Sequence, residues 1–104
     1  MYIVVFVTTK DRKEAKKISD LLIEKKLVAC VNIVDKISSI FWWEGKVSKE
    51  DEALLIMKTK EDCFQEIVEE VKAQHSYDVP EIIAIPIING NKDYLDWIND
   101  SIRK

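Results

Sequence analysis

The sequence predicts an α+β fold: a ferredoxin-like split βαβ sandwich with a C-terminal helix and a long hairpin between its second and third strands. Strand-like and helix-like segments follow one another in the order β-α-β-β-α-β-α, with no linker or repeat between them. This topology places the strands in the spatial order 4-1-3-2. The two central strands are the two with uninterrupted apolar runs, whereas Pro86 falls in an edge strand. Residues 1–104 are interpreted as one domain.

The first strand and the first helix are predicted by an apolar run and a capping signal. Tyr2–Thr8 is apolar without alternation, which is typical of a strand covered on both faces. Asp11, with Glu14 three residues later, predicts a capping box for a helix that runs to about Lys26. The inward side of this helix is expected to carry Ala15, Ile18, Leu21 and Leu22.

The second and third strands form the long hairpin. Leu27–Val34 continues past a polar interruption at Asp35-Lys36 to Trp43, and Lys46–Thr59 returns. Glu44-Gly45 connects them, and Gly45 supplies the positive φ of a tight turn. Arms of about fourteen residues reach roughly 45 Å, well beyond the length of the first strand.

The last three elements are predicted from caps and breakers. Thr59 is expected to cap a second helix, which ends before Tyr77 because Val79 precedes a proline. Glu81–Ile88 is the fourth strand, and Asn91 opens the last helix. The inward residues are Phe64, Ile67, Val68 and Val71 in the second helix and Leu95, Ile98 and Ile102 in the third.

The adjacent Trp42 and Trp43 predict an oligomer. Side chains alternate along a strand, so the two indoles point to opposite faces, and a lone hairpin would leave at least one of them in water. Two helices cover only one face of the sheet, although both faces of its central strands are apolar. Burial against other copies of the chain resolves both problems.

Composition excludes several classes of function. The net charge is −3 with no basic stripe, so nucleic acid is not an expected partner. No segment approaches the ~20 apolar residues of a membrane span, and the run Ile3–Val7 is too short for a signal peptide. Cys30 and Cys63 form no close pair, which favours a reduced, cytoplasmic protein, and Cys63 is expected at the surface or its boundary.

No signature of an enzyme stands out. The chain has two glycines, neither in a phosphate-binding loop, and it has no nucleophile elbow or oxyanion-hole motif. A pairing of Cys30 with His75 as nucleophile and base lacks an orienting group. Neither catalysis nor an organic cofactor is predicted.

His75, the only histidine, is the first candidate metal ligand. Imidazole binds Cu(II) and other divalent metals well, and Asp78 and Glu81 are close in sequence. The alternative is a histidine that ends a helix and is satisfied by local backbone, and spacing alone favours it. Cys30 is either a soft copper ligand or a small buried hydrophobe. Lys58 and Lys60 flank Thr59 and either form an anion site or remain solvated.

The chain resembles the CutA family of divalent-cation tolerance proteins along nearly its whole length. The matching segments are Leu27–Ile33, Phe41–Lys46, Met57–Thr59, His75–Ile82 and Tyr94–Trp97. The resemblance implies a cytosolic homotrimer, similar in architecture to the PII signalling proteins, whose strand arms clasp neighbouring subunits. It also implies copper binding and a link to tolerance of divalent metals.

This chain departs from the family pattern near the candidate ligand. Ser76 stands where the family usually has proline, and Val7 and Gln74 stand where some relatives carry a cysteine and a second histidine. A metal site that depended on those two positions would be reduced here to His75 and whatever a neighbouring subunit supplies.

Three functions follow from these observations. The first is a trimeric metal-binding protein in which His75, with Cys30, takes Cu(II) or another divalent ion, and in which Trp42 and Trp43 build the trimer interface. The second is a PII-like trimer that senses a small anion in clefts between subunits, using Lys58, Tyr77 and Trp43. The third is a structural scaffold with incidental metal binding.

Overall fold

Four strands and three helices follow one another in the predicted order in the computed structural model, which describes residues 1–103. A short 3₁₀ turn, Glu61–Cys63, precedes the second helix. The strands are β1 (Tyr2–Thr9), β2 (Cys30–Trp43), β3 (Lys46–Lys60) and β4 (Ile82–Pro86), and the helices are α1 (Arg12–Glu24), α2 (Phe64–Gln74) and α3 (Lys92–Ser101).

The strands form one antiparallel sheet in the order β2-β3-β1-β4. This order confirms the predicted split βαβ topology, with β1 and β3 in the centre. Val5 of β1 lies opposite Met57 on one side and Ala84 on the other, so one row of side chains crosses the sheet. Pro86 ends β4 at the edge of the sheet, where no further strand needs its missing N–H.

The core fills one face of this sheet. Burial alternates strictly along β1, where Ile3, Val5 and Val7 are buried and the residues between them are half-buried. The helices α1 and α2 cover the buried side through apolar residues such as Ile18 and Ile67. The single chain therefore buries one face of its central strands, although their sequence is apolar on both.

The opposite face carries apolar side chains with little cover. Ile83 and Ile85 of β4 are 52% and 48% exposed, and Phe6 of β1 is half-buried. The helix α3 packs over one end of this face, where Lys60 donates a hydrogen bond to Asn99. Of the helices in residues 1–103, none is long and apolar enough to cross a membrane.

The predicted cap of α1 is confirmed, with one difference in its second half. Asp11 accepts a hydrogen bond from the backbone N–H of Glu14 at 2.8 Å. The carboxylate of Glu14 accepts the N–H of Lys10 at 3.2 Å, rather than that of the cap residue itself. The helix ends at Glu24, shortly before the predicted Lys26, because Lys26 adopts a φ of 55°.

The predicted cap of α2 is wrong. Thr59 lies within β3, and its hydroxyl is buried and donates to the carbonyl oxygen of Leu27 at 2.6 Å. The hydroxyl is therefore committed to the neighbouring connection, and the 3₁₀ turn separates Thr59 from the helix. Cys63 is fully buried in that turn, so its predicted position at the surface is also wrong.

The hairpin is as long as predicted. Its arms have 14 and 15 residues, against 8 in β1, and the long axis of the molecule measures 44 Å. The polar interruption is an irregularity between Val34 and Ile37, where Lys36 has a φ of 56°. Glu44 and Gly45 both have positive φ, at 49° and 77°.

The outer strands β2 and β4 are shorter than predicted, since residues 27–29, 81, 87 and 88 lie outside them.

Candidate functional site

A cavity of about 780 Å³ lies between the hairpin and the segment that leads from α2 to β4. We call it the acidic cleft. Phe41 and Trp43 of β2 and Tyr77 of the connecting segment form its aromatic walls. Within residues 1–103, its charged lining consists of Glu50, Asp51, Glu52, Asp78 and Glu81, together with the single ammonium group of Lys10.

The charge of the acidic cleft is strongly negative, because carboxylates outnumber the ammonium group in its lining. Tyr77 experiences this field directly. Burial raises the pKa of the Tyr77 hydroxyl, and the hydrogen bond to Glu52 and the charges of Glu52, Glu14 and Glu50 raise it further. The hydroxyl donates to Glu52 at 2.8 Å, and Glu52 is only 7% exposed. Such an environment favours a cation over an anion.

His75 lies directly after α2, and its ring is fully buried. Nε2 is 2.7 Å from the carbonyl oxygen of Thr8, and Nδ1 accepts the backbone N–H of Tyr77 at 3.0 Å. A carboxylate oxygen of Glu14 lies 3.9 Å from Nδ1. Both ring nitrogens thus have hydrogen-bond partners within the chain, and this geometry argues against His75 as a metal ligand.

Cys30 begins β2 on the face that points away from α1 and α2. It lies opposite Lys58, which lies opposite Val4. The thiol is half-buried and is 3.9 Å from the side-chain oxygen of Asn32. Burial and this thiol together raise the pKa of Tyr94.

The structure does not bring Cys30 and His75 together within one chain. Cys30 is level with Val4 of β1, whereas His75 contacts Thr8, which is four residues or about 13 Å further along the strand. Within residues 1–103 there is no group of three or more His, Cys, Asp or Glu side chains that could hold a metal ion. The metal roles of Cys30 and His75 therefore stay predictions.

The structure brings together two of the three residues predicted for an anion cleft. Trp43 and Tyr77 line the acidic cleft, but Lys58 lies at the Cys30 end of the sheet and donates to Asn32. Trp42 is 75% exposed and lies outside the cleft lining, which agrees with opposite directions for the two indoles. Their role in a trimer interface stays a prediction.

Sequence reasoning missed the carboxylates of the hairpin. The run Glu50-Asp51-Glu52 stands immediately before the apolar core of β3 and could have been noticed as a concentration of charge. It could not have been paired with Asp78 and Glu81, because the hairpin and the connecting segment meet only in the folded chain.

Comparisons with known proteins agree with one another. The sequence profile described as "CutA1 divalent ion tolerance protein" matches residues 3–101. "Protein CutA 1, chloroplastic" of Oryza sativa subsp. japonica is 50% identical over 98% of this chain and 58% of its own length. "Divalent-cation tolerance protein CutA" of Archaeoglobus fulgidus is 47% identical over 98% of this chain and 99% of its own length.

Solved structures match as closely. The crystal structure of CutA1 from Oryza sativa has a TM-score of 0.96 at 50% identity and covers 99% of this chain and 94% of its own. The divalent cation tolerance protein from Thermus thermophilus also has a TM-score of 0.96, at 44% identity, with 98% and 99% covered. The chain spans somewhat more than half of the plant relatives, 58% of the rice protein and 56% of that from Arabidopsis thaliana. By sequence and by fold, the chain belongs to the CutA1 divalent ion tolerance protein family.

Proposed function

We propose that the protein is a cytoplasmic homotrimer that binds divalent cations, Cu(II) among them, and that it serves divalent-cation tolerance without catalysing a reaction. The names of its relatives support the binding of divalent cations, since they describe divalent-cation tolerance proteins. The observation that carries the proposal is the acidic cleft, where five carboxylates and one ammonium group from residues 1–103 surround a cavity. Carboxylate oxygens are common ligands of divalent ions.

The trimer is supported by the surface that the single chain leaves exposed. The uncovered face of the sheet presents Ile83, Ile85 and Val34, and the hairpin presents Trp42 at 75% exposure. Together they form an apolar surface of the kind that closed oligomers bury. Residues 1–103 of one copy hold no complete metal site, so subunits that share ligands across their boundaries would supply the missing donors.

Copper is the proposed metal on chemical grounds. Among divalent first-row metals, Cu(II) has the highest affinity for a given set of nitrogen and oxygen ligands. Cys30 is a further candidate donor, because its half-buried thiol lies on the uncovered face of the sheet, where a neighbouring subunit would approach.

The alternative of a PII-like anion sensor is less well supported. Lys58 lies away from Trp43 and Tyr77, and the charged side chains of the cleft that these two aromatics share are mainly carboxylates. A small anion would therefore meet a repulsive field. A purely structural trimer would need neither the cavity nor its charge.

A titration with Cu(II) in competition with a chelator tests the proposal. The test variant replaces one carboxylate on each wall of the cleft, Glu50→Gln with Asp78→Asn. The matched control is Asp20→Asn with Asp96→Asn, which removes the same charge from two exposed helix pairs. We expect the test variant to bind Cu(II) about tenfold more weakly, or worse, and the control to bind like the parent protein. Equal affinities for both double variants would contradict the role of the cleft.

A further inference from the structure

The only histidine of the chain is completely engaged by its own backbone. A carbonyl oxygen can only accept a hydrogen bond, so Nε2 of His75 must donate to Thr8. A backbone N–H can only donate, so Nδ1 must accept from Tyr77. These two partners assign the neutral ring with its proton on Nε2. No lone pair remains for a metal ion unless one of these buried hydrogen bonds is broken.

The segment that begins at His75 is fastened to three other elements. The N–H of Ser76 donates to a carboxylate oxygen of Glu14 in α1 at 2.9 Å. The hydroxyl of Tyr77 donates to Glu52 of β3 at 2.8 Å. His75 itself ties the segment to the end of β1 through Thr8. Glu14 and Glu52 are 8% and 7% exposed, so these contacts are shielded from competition by water.

This fastened segment forms one wall of the acidic cleft. Residues 75–81 contain neither helix nor strand, so side-chain hydrogen bonds must hold their conformation in place of a regular backbone ladder. The segment supplies Tyr77, Asp78 and Glu81 to the cleft. His75 is outside the lining, yet its ring contacts Tyr77 with a centroid distance of 4.8 Å.

We propose that His75 is a positioning residue, which fastens the segment 75–81 and so shapes the acidic cleft, and that it is not a ligand of the bound metal. In its metal-binding part, this inference rests on the function proposed above. The role assigned to the imidazole is mechanical: one donor and one acceptor, about a ring's width apart, bridge β1 and the connecting segment. The metal ligands are then predominantly oxygen atoms.

The unmodified chain provides a direct spectroscopic test, because it contains one histidine. In electron paramagnetic resonance spectra of the untagged protein loaded with Cu(II), imidazole nitrogen couplings can come only from His75 of one subunit or another. We expect no such couplings. Their presence would show imidazole in the coordination sphere and would overturn the inference.

Two substitutions separate positioning from ligation. In His75→Gln the amide keeps one donor and one acceptor, whereas His75→Leu removes both. We expect His75→Gln to bind Cu(II) within about threefold of the parent and His75→Leu to bind about tenfold more weakly. A metal-ligand role predicts equal losses in both variants, because an amide is a poor replacement for imidazole, and that result would overturn the inference.

A measurement without metal keeps the two proposals distinguishable. Nitrogen-15 NMR of the metal-free protein should show the Nε2–H tautomer, with slow hydrogen exchange at the amide of Tyr77. His75→Leu should speed that exchange and His75→Gln should restore protection. If the parent protein bound no Cu(II), the proposed function would fail and this readout alone would decide the positioning role. A solvent-exposed ring, or an unprotected Tyr77 amide in the parent, would contradict that role.

Discussion

The hydroxyl of Thr59 joins the end of β3 to the connection that follows α1. It is completely buried and donates to the carbonyl oxygen of Leu27 across 32 positions of sequence. In the sequence, a threonine before a helix is typical of a cap. The hydroxyl donates to the buried carbonyl of Leu27 instead of capping the helix, because Thr59 belongs to the inward row of β3.

Thr59→Val should destabilise the protein by about 1–3 kcal/mol, because it leaves the Leu27 carbonyl without this donor at nearly constant volume. Thr59→Ser keeps the hydroxyl and loses a methyl group, so we expect about 1 kcal/mol. Urea denaturation at one fixed protein concentration measures both changes. If Val were as stable as Thr at this position, the hydrogen bond would have no net role.

Tyr77 predicts how stability changes at alkaline pH. Its pKa in the folded protein lies above the ordinary 10.0, because of burial and the neighbouring carboxylates. The contribution of the protonated Tyr77 hydroxyl to stability is therefore fully present below pH 10. It is lost as the pH rises from about 10 through the higher pKa of the folded protein. Tyr77→Phe should lose less stability than the parent as the pH rises from about 10 to about 11.

Denaturation curves at several pH values test this prediction, since the lysine titrations are common to both proteins. The pKa of Tyr94 is also raised, by burial and Cys30, so the pH profile of Tyr94→Phe measures the same kind of effect at a second tyrosine. Parallel pH profiles for the parent and Tyr77→Phe would contradict the assigned environment of Tyr77.

Single residues were predictable from sequence where their role is local. Asp11 and Asn91 cap the helices they precede, and Gly45 adopts positive φ. His75 and Thr59 were not, since their partners, Thr8 and Leu27, are 67 and 32 positions away. No pattern of neighbouring residues encodes such a contact.

Two turns show how backbone conformation limits the elements. The N–H groups of Lys26 and Leu27 donate to Ile23 and Leu22, which closes α1 with a Schellman motif around the positive φ of Lys26. Glycine is the usual residue at that position. At the hairpin tip, Gly45 has a φ of 77°, and an added Cβ would meet no atom within 4 Å.

Substitutions at these turns should have opposite signs. Lys26→Gly should stabilise the protein by about 0.5–1 kcal/mol by relieving an unfavourable φ. Gly45→Ala should destabilise it by about 1 kcal/mol, although the space is open, because alanine resists positive φ. Denaturation of both variants and the parent measures these stability changes. Two changes of the same sign would contradict the backbone φ as their cause.

Helices and strands were predicted well where the spacing of apolar residues follows their burial. The central strands and the stripes of α1 and α2 follow from apolar periodicity, and the strand order confirms it. The edges were predicted less accurately. Leu27 and Val28 are buried like strand residues but lie in a connection, so an apolar run overstated the length of β2.

At the scale of the whole molecule, two features remain unexplained by a monomer. The sheet leaves Ile83 and Ile85 half-exposed, and a hairpin longer than the rest of the sheet carries Trp42 and Trp43 at 75% and 53% exposure. The apolar pattern anticipated the uncovered face. It could not anticipate the acidic cleft, which the hairpin and the segment 77–81 form together only in three dimensions.

The proposed assembly connects these surfaces with the cation. A trimer would bury the apolar face. It would also bring additional donors towards the carboxylates of the cleft, since residues 1–103 of one chain hold no complete metal site. Assembly and metal binding are then expected in the same species. A chain without its neighbours should bind divalent ions more weakly than the trimer does.

Native mass spectrometry of the protein in the presence of Cu(II) tests this central claim most directly, because it counts chains and bound ions in one species. At micromolar protein concentration we predict a complex of three chains that retains Cu(II), and retention should fall in the Glu50→Gln, Asp78→Asn double variant. A stable monomer, or a trimer that retains no Cu(II), would contradict the account.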